Sequence, residues 1–133
     1  MIKFILLLVL FTSSLFAAVQ TATVTALQSP NQKAVRVQWA SIAGATSDTG
    51  SSVELHQFKS KSIQCEGTYG GTTVTIQASN DGTNWQGVLD SAGSALTFTA
   101  AGLKTISTIA RYYRPSAASG TGSLTCTLIA TLY

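Results

Sequence analysis

The sequence predicts an all-β fold: an antiparallel β-sandwich of jelly-roll or Ig-like type with about seven to nine strands. Three observations carry that expectation. Apolar and polar residues alternate with period two through most of the chain after residue 20, the signature of strands with one buried face. Short strands recur roughly every 8–12 residues with turn signals between them, among them Ser29-Pro30-Asn31, Tyr69-Gly70-Gly71, Asn80-Asp81-Gly82 and Ser119 to Gly122. Charged residues make up only 10% of the 133, yet the alternation gives the chain a core to bury, so it is not of the disordered class.

Taken in order, Thr21 to Gln28 alternates Thr with Ala and Val and reads as the first strand, broken by Pro30. Ala34 to Trp39 follows, with Val35, Val37 and Trp39 on one face, which predicts a buried Trp39. Ser41 to Ser52 is small and polar and reads as a loop. Val53 to Phe58 reads as a strand. Lys61 to Thr68 and Thr72 to Ser79 read as a pair joined at Tyr69-Gly70-Gly71, a turn that needs positive φ. Asn80-Asp81-Gly82 turns the chain into Trp85 to Leu89, with Trp85 expected to plug the core beneath the turn. Leu96 to Thr99 is a short strand, and Gly102 argues against a helix over Ala100 to Ile109. Arg111 to Arg114 reads as a short strand ended by Pro115, and Ser123 to Tyr133 as the last strand.

The length suits one domain and is too short for two, which places a single sandwich at residues 21–133. Residues 1–20 stand apart. One Lys, an apolar run from Phe4 to Phe11 and then small residues follow the order of a secretory leader, with a cut after Ala17 as the matching site and a bulky Leu15 three positions before the cut. The apolar run is shorter than the roughly 20 residues that span a bilayer. An uncleaved anchor, or an apolar arm buried in a neighbouring subunit, is the other reading. The net charge of +3 comes from scattered Lys and Arg with no basic tract, so no nucleic-acid partner is expected.

Several residues invite a chemical reading. Cys65 shares a face with Ile63, and Cys126 with Leu124 and Leu128, so both thiols point toward the core. They form either a disulfide, whose long loop would stabilise the fold by about 4 kcal/mol, or two buried free thiols. Two Cys and one His are too few and wrongly spaced for a metal site, and no cofactor is expected. Asp48-Thr49-Gly50-Ser51-Ser52 matches the string around an aspartic-protease carboxylate. That chemistry needs two such carboxylates, and one copy in a short chain reads as a polar loop. His56, the single histidine, reads as a strand residue without a nucleophile placed beside it. Asn80, Asp81 and Asn84 offer oxygens, but one carboxylate in a tight turn is a weak Ca²⁺ site. Arg111-Tyr112-Tyr113-Arg114 reads either as an interface stripe or as a strand with alternating faces.

The order of motifs resembles a family. Lys61 to Gly70 (KSIQCEGTYG), Ser79 to Trp85 (SNDGTNW), Ala95 to Lys104 (ALTFTAAGLK), then Arg114-Pro115 followed by Gly120-Thr121-Gly122, together resemble small β-sandwich structural proteins of tailed bacteriophages and prophages. The likeness runs over residues 20–133 and lies in the order of the motifs. It implies a virion component without an active site, a capsid decoration or other head-associated protein. Its partners would be the major capsid protein or other virion proteins; a homo-oligomer is expected, a trimer being one form it could take. Asn80, Asp81, Gly82, Asn84 and Trp85 also resemble, over a short stretch, the hairpin of discoidin-like sugar-binding domains. With the leader-like N-terminus this defines the alternative expectation, a secreted or periplasmic bacterial β-sandwich that binds carbohydrate or adheres to a surface. That reading needs Trp39, Tyr69, Trp85, Tyr112 or Tyr113 exposed as a stacking face.

Overall fold

A computed structural model describes residues 16–29 and 32–133. The leader-like run and the Pro30-Asn31 break lie outside the described residues, apart from Phe16 to Gln20 and Ser29. Twelve strands form two sheets, and no helix occurs among the described residues. Seven strands have five or more residues: β2 (Ala22–Ser29), β3 (Gln32–Ala43), β6 (Ser60–Thr68), β7 (Thr73–Ser79), β10 (Gly102–Ile106), β11 (Tyr112–Ala118) and β12 (Ser123–Thr131). Five are two-residue strands: β1 (Val19–Gln20), β4 (Thr49–Gly50), β5 (Val53–Glu54), β8 (Gln86–Gly87) and β9 (Thr97–Phe98).

One sheet runs β10-β6-β12-β3-β2. The other is centred on β11 and β7, with β4 and β5 along the free edge of β11 and β8 and β9 along that of β7. Counting β4/β5 and β8/β9 as one strand each and starting at β3, the first sheet pairs the first, eighth, third and sixth strands. The second pairs the second, seventh, fourth and fifth. This is jelly-roll order, which resolves the two topologies the sequence left open. Pairing is antiparallel throughout except for β1 on β4.

The alternation holds where the sequence shows it best. Ile63 and Cys65 of β6, Val74, Ile76 and Ala78 of β7, and Leu124, Cys126, Leu128 and Ala130 of β12 all point into one core with Val37 and Trp39. The sequence and the structure part where the chain changes sheet. β6 and β7 are not a hairpin: the turn at Gly70 and Gly71, both with positive φ, carries the chain from one sheet to the other. Turn residues alone do not distinguish a hairpin from a crossover, because both ask for the same φ. Ser119 to Gly122 makes the matching crossover between β11 and β12, and the two turns pack together. Gly122 N–H donates to the buried Thr72 hydroxyl, and Thr121 N–H donates to the Gly70 carbonyl. A Cβ on Gly122 would lie 2.2 Å from the Tyr69 carbonyl oxygen, so glycine is required there.

Other boundaries also move for identifiable reasons. The expected loop at Ser41 to Ser52 holds from Gly44 to Asp48, but its flanks are strand: β3 runs on to Ala43, and Thr49–Gly50 is β4. A register shift between Leu124 and Cys126 sets Ile42 and Trp39 opposite residues two apart on β12. This bulge, with Ser41 at φ 57°, lets Trp39 and Ile42 both face the core although they are three residues apart. The strand expected over Val53 to Phe58 ends at Glu54. Phe58 N–H then bonds the Leu55 carbonyl in a turn that buries both side chains. Pro115 does not end β11. Ala117 N–H donates to the Asp48 carbonyl and Leu55 N–H to the Arg111 carbonyl, so odd-numbered residues of β11 turn their peptide groups away from β7. The donor that Pro115 lacks falls in the gap between β4 and β5. Gly102 opens the edge strand β10, in keeping with the reading against a helix.

Cys65 and Cys126 are directly opposite each other on β6 and β12, with Cα atoms 4.1 Å apart, and they form a disulfide across 61 residues of sequence. Replacing both by Ala is expected to lower the unfolding free energy by about 4 kcal/mol. Denaturant unfolding with and without reductant checks this. The double variant should be insensitive to reductant, and the wild type should fall to its level when reduced.

Candidate functional site

The two stretches singled out in the sequence, Asn80 to Trp85 and Arg111 to Arg114, meet at one end of the β11–β7 sheet. Even-numbered residues of β11 face outward, so Tyr112 and Arg114 are half-buried on the outer surface while Tyr113 points into the core. Tyr112 is opposite Ser79 and Arg114 opposite Gln77 on β7, which brings both beside the loop that follows Ser79.

Two guanidinium–aromatic pairs result. The Arg114 guanidinium carbon lies 4.1 Å from the centroid of the Trp85 ring, and its Nε donates to Gln77 Oε1 at 3.0 Å. The Arg111 guanidinium lies 5.0 Å from the centroid of the Tyr112 ring, and its Nε donates to Glu54 Oε1 at 2.8 Å. The bond to Glu54 pushes Arg111 above its ordinary pKa. Trp85 therefore does not plug the core: it covers the outer sheet face under Arg114. Guanidiniums held over aromatic faces and fixed by a second polar partner are ordered before any partner arrives.

Asp81 sets the loop. Its Oδ1 accepts from the Ser79 hydroxyl and the Thr83 and Asn84 amides, and its Oδ2 accepts from Asn84 Nδ2. The backbone and side-chain bonds from Asn84, then those from Thr83 and Ser79, hold its carboxyl well below the usual carboxylate range. Gly82 takes the positive φ of the turn, and a Cβ there would rest 3.7 Å from the Tyr112 ring. Asn80 Oδ1 accepts from the Arg111 amide, tying the loop to the start of β11. Asp81 and Asn80 thus spend these oxygens within the protein, and the loop is built as a turn. Among the described residues no group of three or more His, Cys, Asp or Glu is placed to hold a metal ion.

Beside the Arg111 pair lies a shallow depression of 540 Å³ lined by Glu54, His56, Asn80, Ile109, Ala110 and Arg111. His56 is exposed, past the end of β5, with Nδ1 3.1 Å from Glu54 Oε1. Ile109 is 86% exposed. Tyr113 is excluded from this surface: its hydroxyl donates to the Thr108 carbonyl and accepts from the Ala110 amide, bracing the segment that carries Ile109. Of the other candidate stacking residues, Trp39 is fully buried and donates from Nε1 to the Ser51 carbonyl, and Tyr69 donates to the Cys65 carbonyl.

Two residues with structural roles escape a sequence reading. Lys61 is buried, donates from Nζ to the Phe58 carbonyl and lies 5.1 Å from the Tyr113 ring centroid; burial pushes its ammonium below the ordinary lysine range. Its alternation with Ile63 and Cys65 was the available signal. Asp48, which reads as part of a polar loop, is 2% exposed. Burial raises its pKa, but bonds from the Thr46 hydroxyl, the Ala18 amide, Gln20 Nε2 and the Ala43 amide outweigh that and leave it below its usual value. Compared with known proteins, the chain matches no family model and no curated protein.

Tyr113→Phe is expected to destabilise the fold by about 1–3 kcal/mol, because it strands the buried Ala110 amide. Denaturant unfolding measures it. Asp81→Ala should speed amide hydrogen exchange at Thr83 and Asn84 with little effect on the core amides. In the wild type the loop should keep its protection as the pH falls to about 4 and lose it only as Asp81 protonates below that, since stability from a depressed carboxylate disappears as pH falls through its folded pKa.

Proposed function

We propose that the protein is a non-catalytic virion structural protein that docks on a repeated phage shell surface and decorates or cements the capsid. The observation that carries this reading is the outer face at the loop end of the β11–β7 sheet, where Arg111 over Tyr112 and Arg114 over Trp85 are held ready by Glu54 and Gln77. Arg, Tyr and Trp are the residues that dominate interface energetics, and side chains already fixed lose little entropy on docking. The resemblance of the motif order to that of tailed-phage structural proteins supports the setting. So does the jelly-roll order of the strands, an architecture that recurs in capsid proteins. The major capsid protein is the proposed partner. Binding of many copies, with self-association as trimers, would build avidity from modest single contacts.

A second reading, an exported bacterial β-sandwich that binds carbohydrate, is favoured by Trp85 and Tyr112 lying at the surface beside Asn80 rather than in the core. On the virion reading, the protein is found in purified particles in fixed proportion to the shell protein. Arg111→Ala combined with Arg114→Ala should lower its occupancy on particles about tenfold or more, with the unfolding midpoint little changed. Absence from particles, together with retention on an immobilised polysaccharide, would replace the virion reading with the second.

A further inference from the structure

We propose that the chain is finished by cleavage between Ala17 and Ala18, and that the new α-ammonium of Ala18 docks on the buried Asp48 carboxylate. The inference rests on the second, exported reading above and stands against the virion reading, because a leader-type cut requires export. Two independent observations meet at one peptide bond. In the sequence, the leader-like order of one Lys, an apolar run and small residues places its cut after Ala17. In the structure, the fold takes hold of the chain at the next residue. Phe16 is 79% exposed, and Phe16 and Ala17 belong to no strand. The Ala18 nitrogen donates to Asp48 Oδ1 at 2.9 Å, and the Ala18 carbonyl accepts from the Thr49 amide at 3.0 Å. Val19 then begins the β1–β4 pairing.

Asp48 has no cation beside it among the described residues. Its four donors, the Ala18 and Ala43 amides, Gln20 Nε2 and the Thr46 hydroxyl, are all neutral, and the ion pairs found involve Glu54. An opposite charge at hydrogen-bond distance favours the ionised form of a carboxylate. Hydrolysis supplies that charge at a nitrogen that already lies 2.9 Å from Asp48 Oδ1. Water adds across the Ala17–Ala18 peptide, the C–N bond breaks, Ala17 leaves as a carboxylate, and the amine of Ala18 takes up a proton where its amide already points at Oδ1. The exposed bond is open to a leader-type peptidase that accepts a small residue before the cut.

The test is expression of the full 133-residue chain in a bacterium, followed by intact mass and amine labelling of the periplasmic product. The expected product begins at Ala18, and its α-amine reacts with an acylating reagent at neutral pH about tenfold more slowly than in the Asp48→Asn variant. A product that keeps Met1, or begins elsewhere, overturns the proposal. So does equal labelling of the two proteins. If Asp48→Asn fails to fold, the wild type still decides. Asp48 is the titratable group facing Ala18, since its other partners, Gln20, Thr46 and the Ala43 amide, do not titrate. Pairing raises the folded pKa of the α-ammonium above its ordinary value near ~8, so its stabilisation is full below that pH and is lost as pH rises through the raised value. The cleaved protein should therefore lose thermal midpoint above about pH 8 while the uncut precursor from the cytoplasm does not. Parallel profiles would overturn the docking of the ammonium.

Discussion

The Asp48 carboxylate is the fixture on which the first crossover of this jelly roll depends. A sandwich whose chain passes from sheet to sheet must close each passage with its backbone polar groups satisfied and little room for side chains. At the passage from β3 to β4, one carboxylate gathers the end of β3 through Ala43, the turn through Thr46 and the incoming chain through Ala18 and Gln20. The Asp48 carbonyl binds Ala117 of β11. Two residues on, a Cβ at Gly50 would fall 2.5 Å from the Trp39 ring, and Trp39 in turn donates to Ser51. The string that resembles a protease motif is therefore the hinge between the two sheets. Its Asp, Gly and Ser have structural tasks at this passage between the sheets.

The far end of the same sheet has the opposite character. β7 and β11 are held at one end by the packed crossovers at Gly70–Gly71 and Ser119–Gly122, with Thr72 between them. About 20 Å away, at the other end of β7, they lead into the Asn80 to Trp85 loop and the Thr108 to Arg111 segment. There the strands stop pairing closely, side chains fold over the outer face, and polar groups satisfy one another in local turns. One end is closed by packed turns, and the other carries loops with Arg and aromatic side chains paired on the outer face. Tyr112 and Tyr113 make the division within two residues: one faces the loop under Arg111, and the other braces the core with both hydrogen bonds of its hydroxyl.

Much of this was legible in the sequence, for a physical reason. Side-chain direction alternates along a strand whatever the strand pairs with, so Val37, Trp39, Ile63, Cys65 and Leu128 declared their inward faces locally. Backbone conformation is equally local, and the positive φ expected at the Gly70–Gly71 turn is one that glycine adopts without steric cost. The loop and the Arg–Tyr stripe were each visible as stretches, but their meeting was not, because Ser79 and Tyr112 become neighbours only through the β7–β11 pairing.

The sequence by itself determined the all-β class, the strand faces, the main turns and the two cysteines' inward orientation. The tertiary structure decided what depends on which strands lie side by side. It made Gly70–Gly71 a crossover instead of a hairpin and placed Cys65 opposite Cys126. It let Pro115 lie inside β11 by leaving a gap between β4 and β5. It also turned Asp48 from a loop residue into a buried anchor, and moved Trp85 from core plug to surface partner of Arg114. Period and propensity act over a few residues, whereas strand order is set by burying both sheets' apolar faces at once. That requirement belongs to the whole chain and to no segment of it.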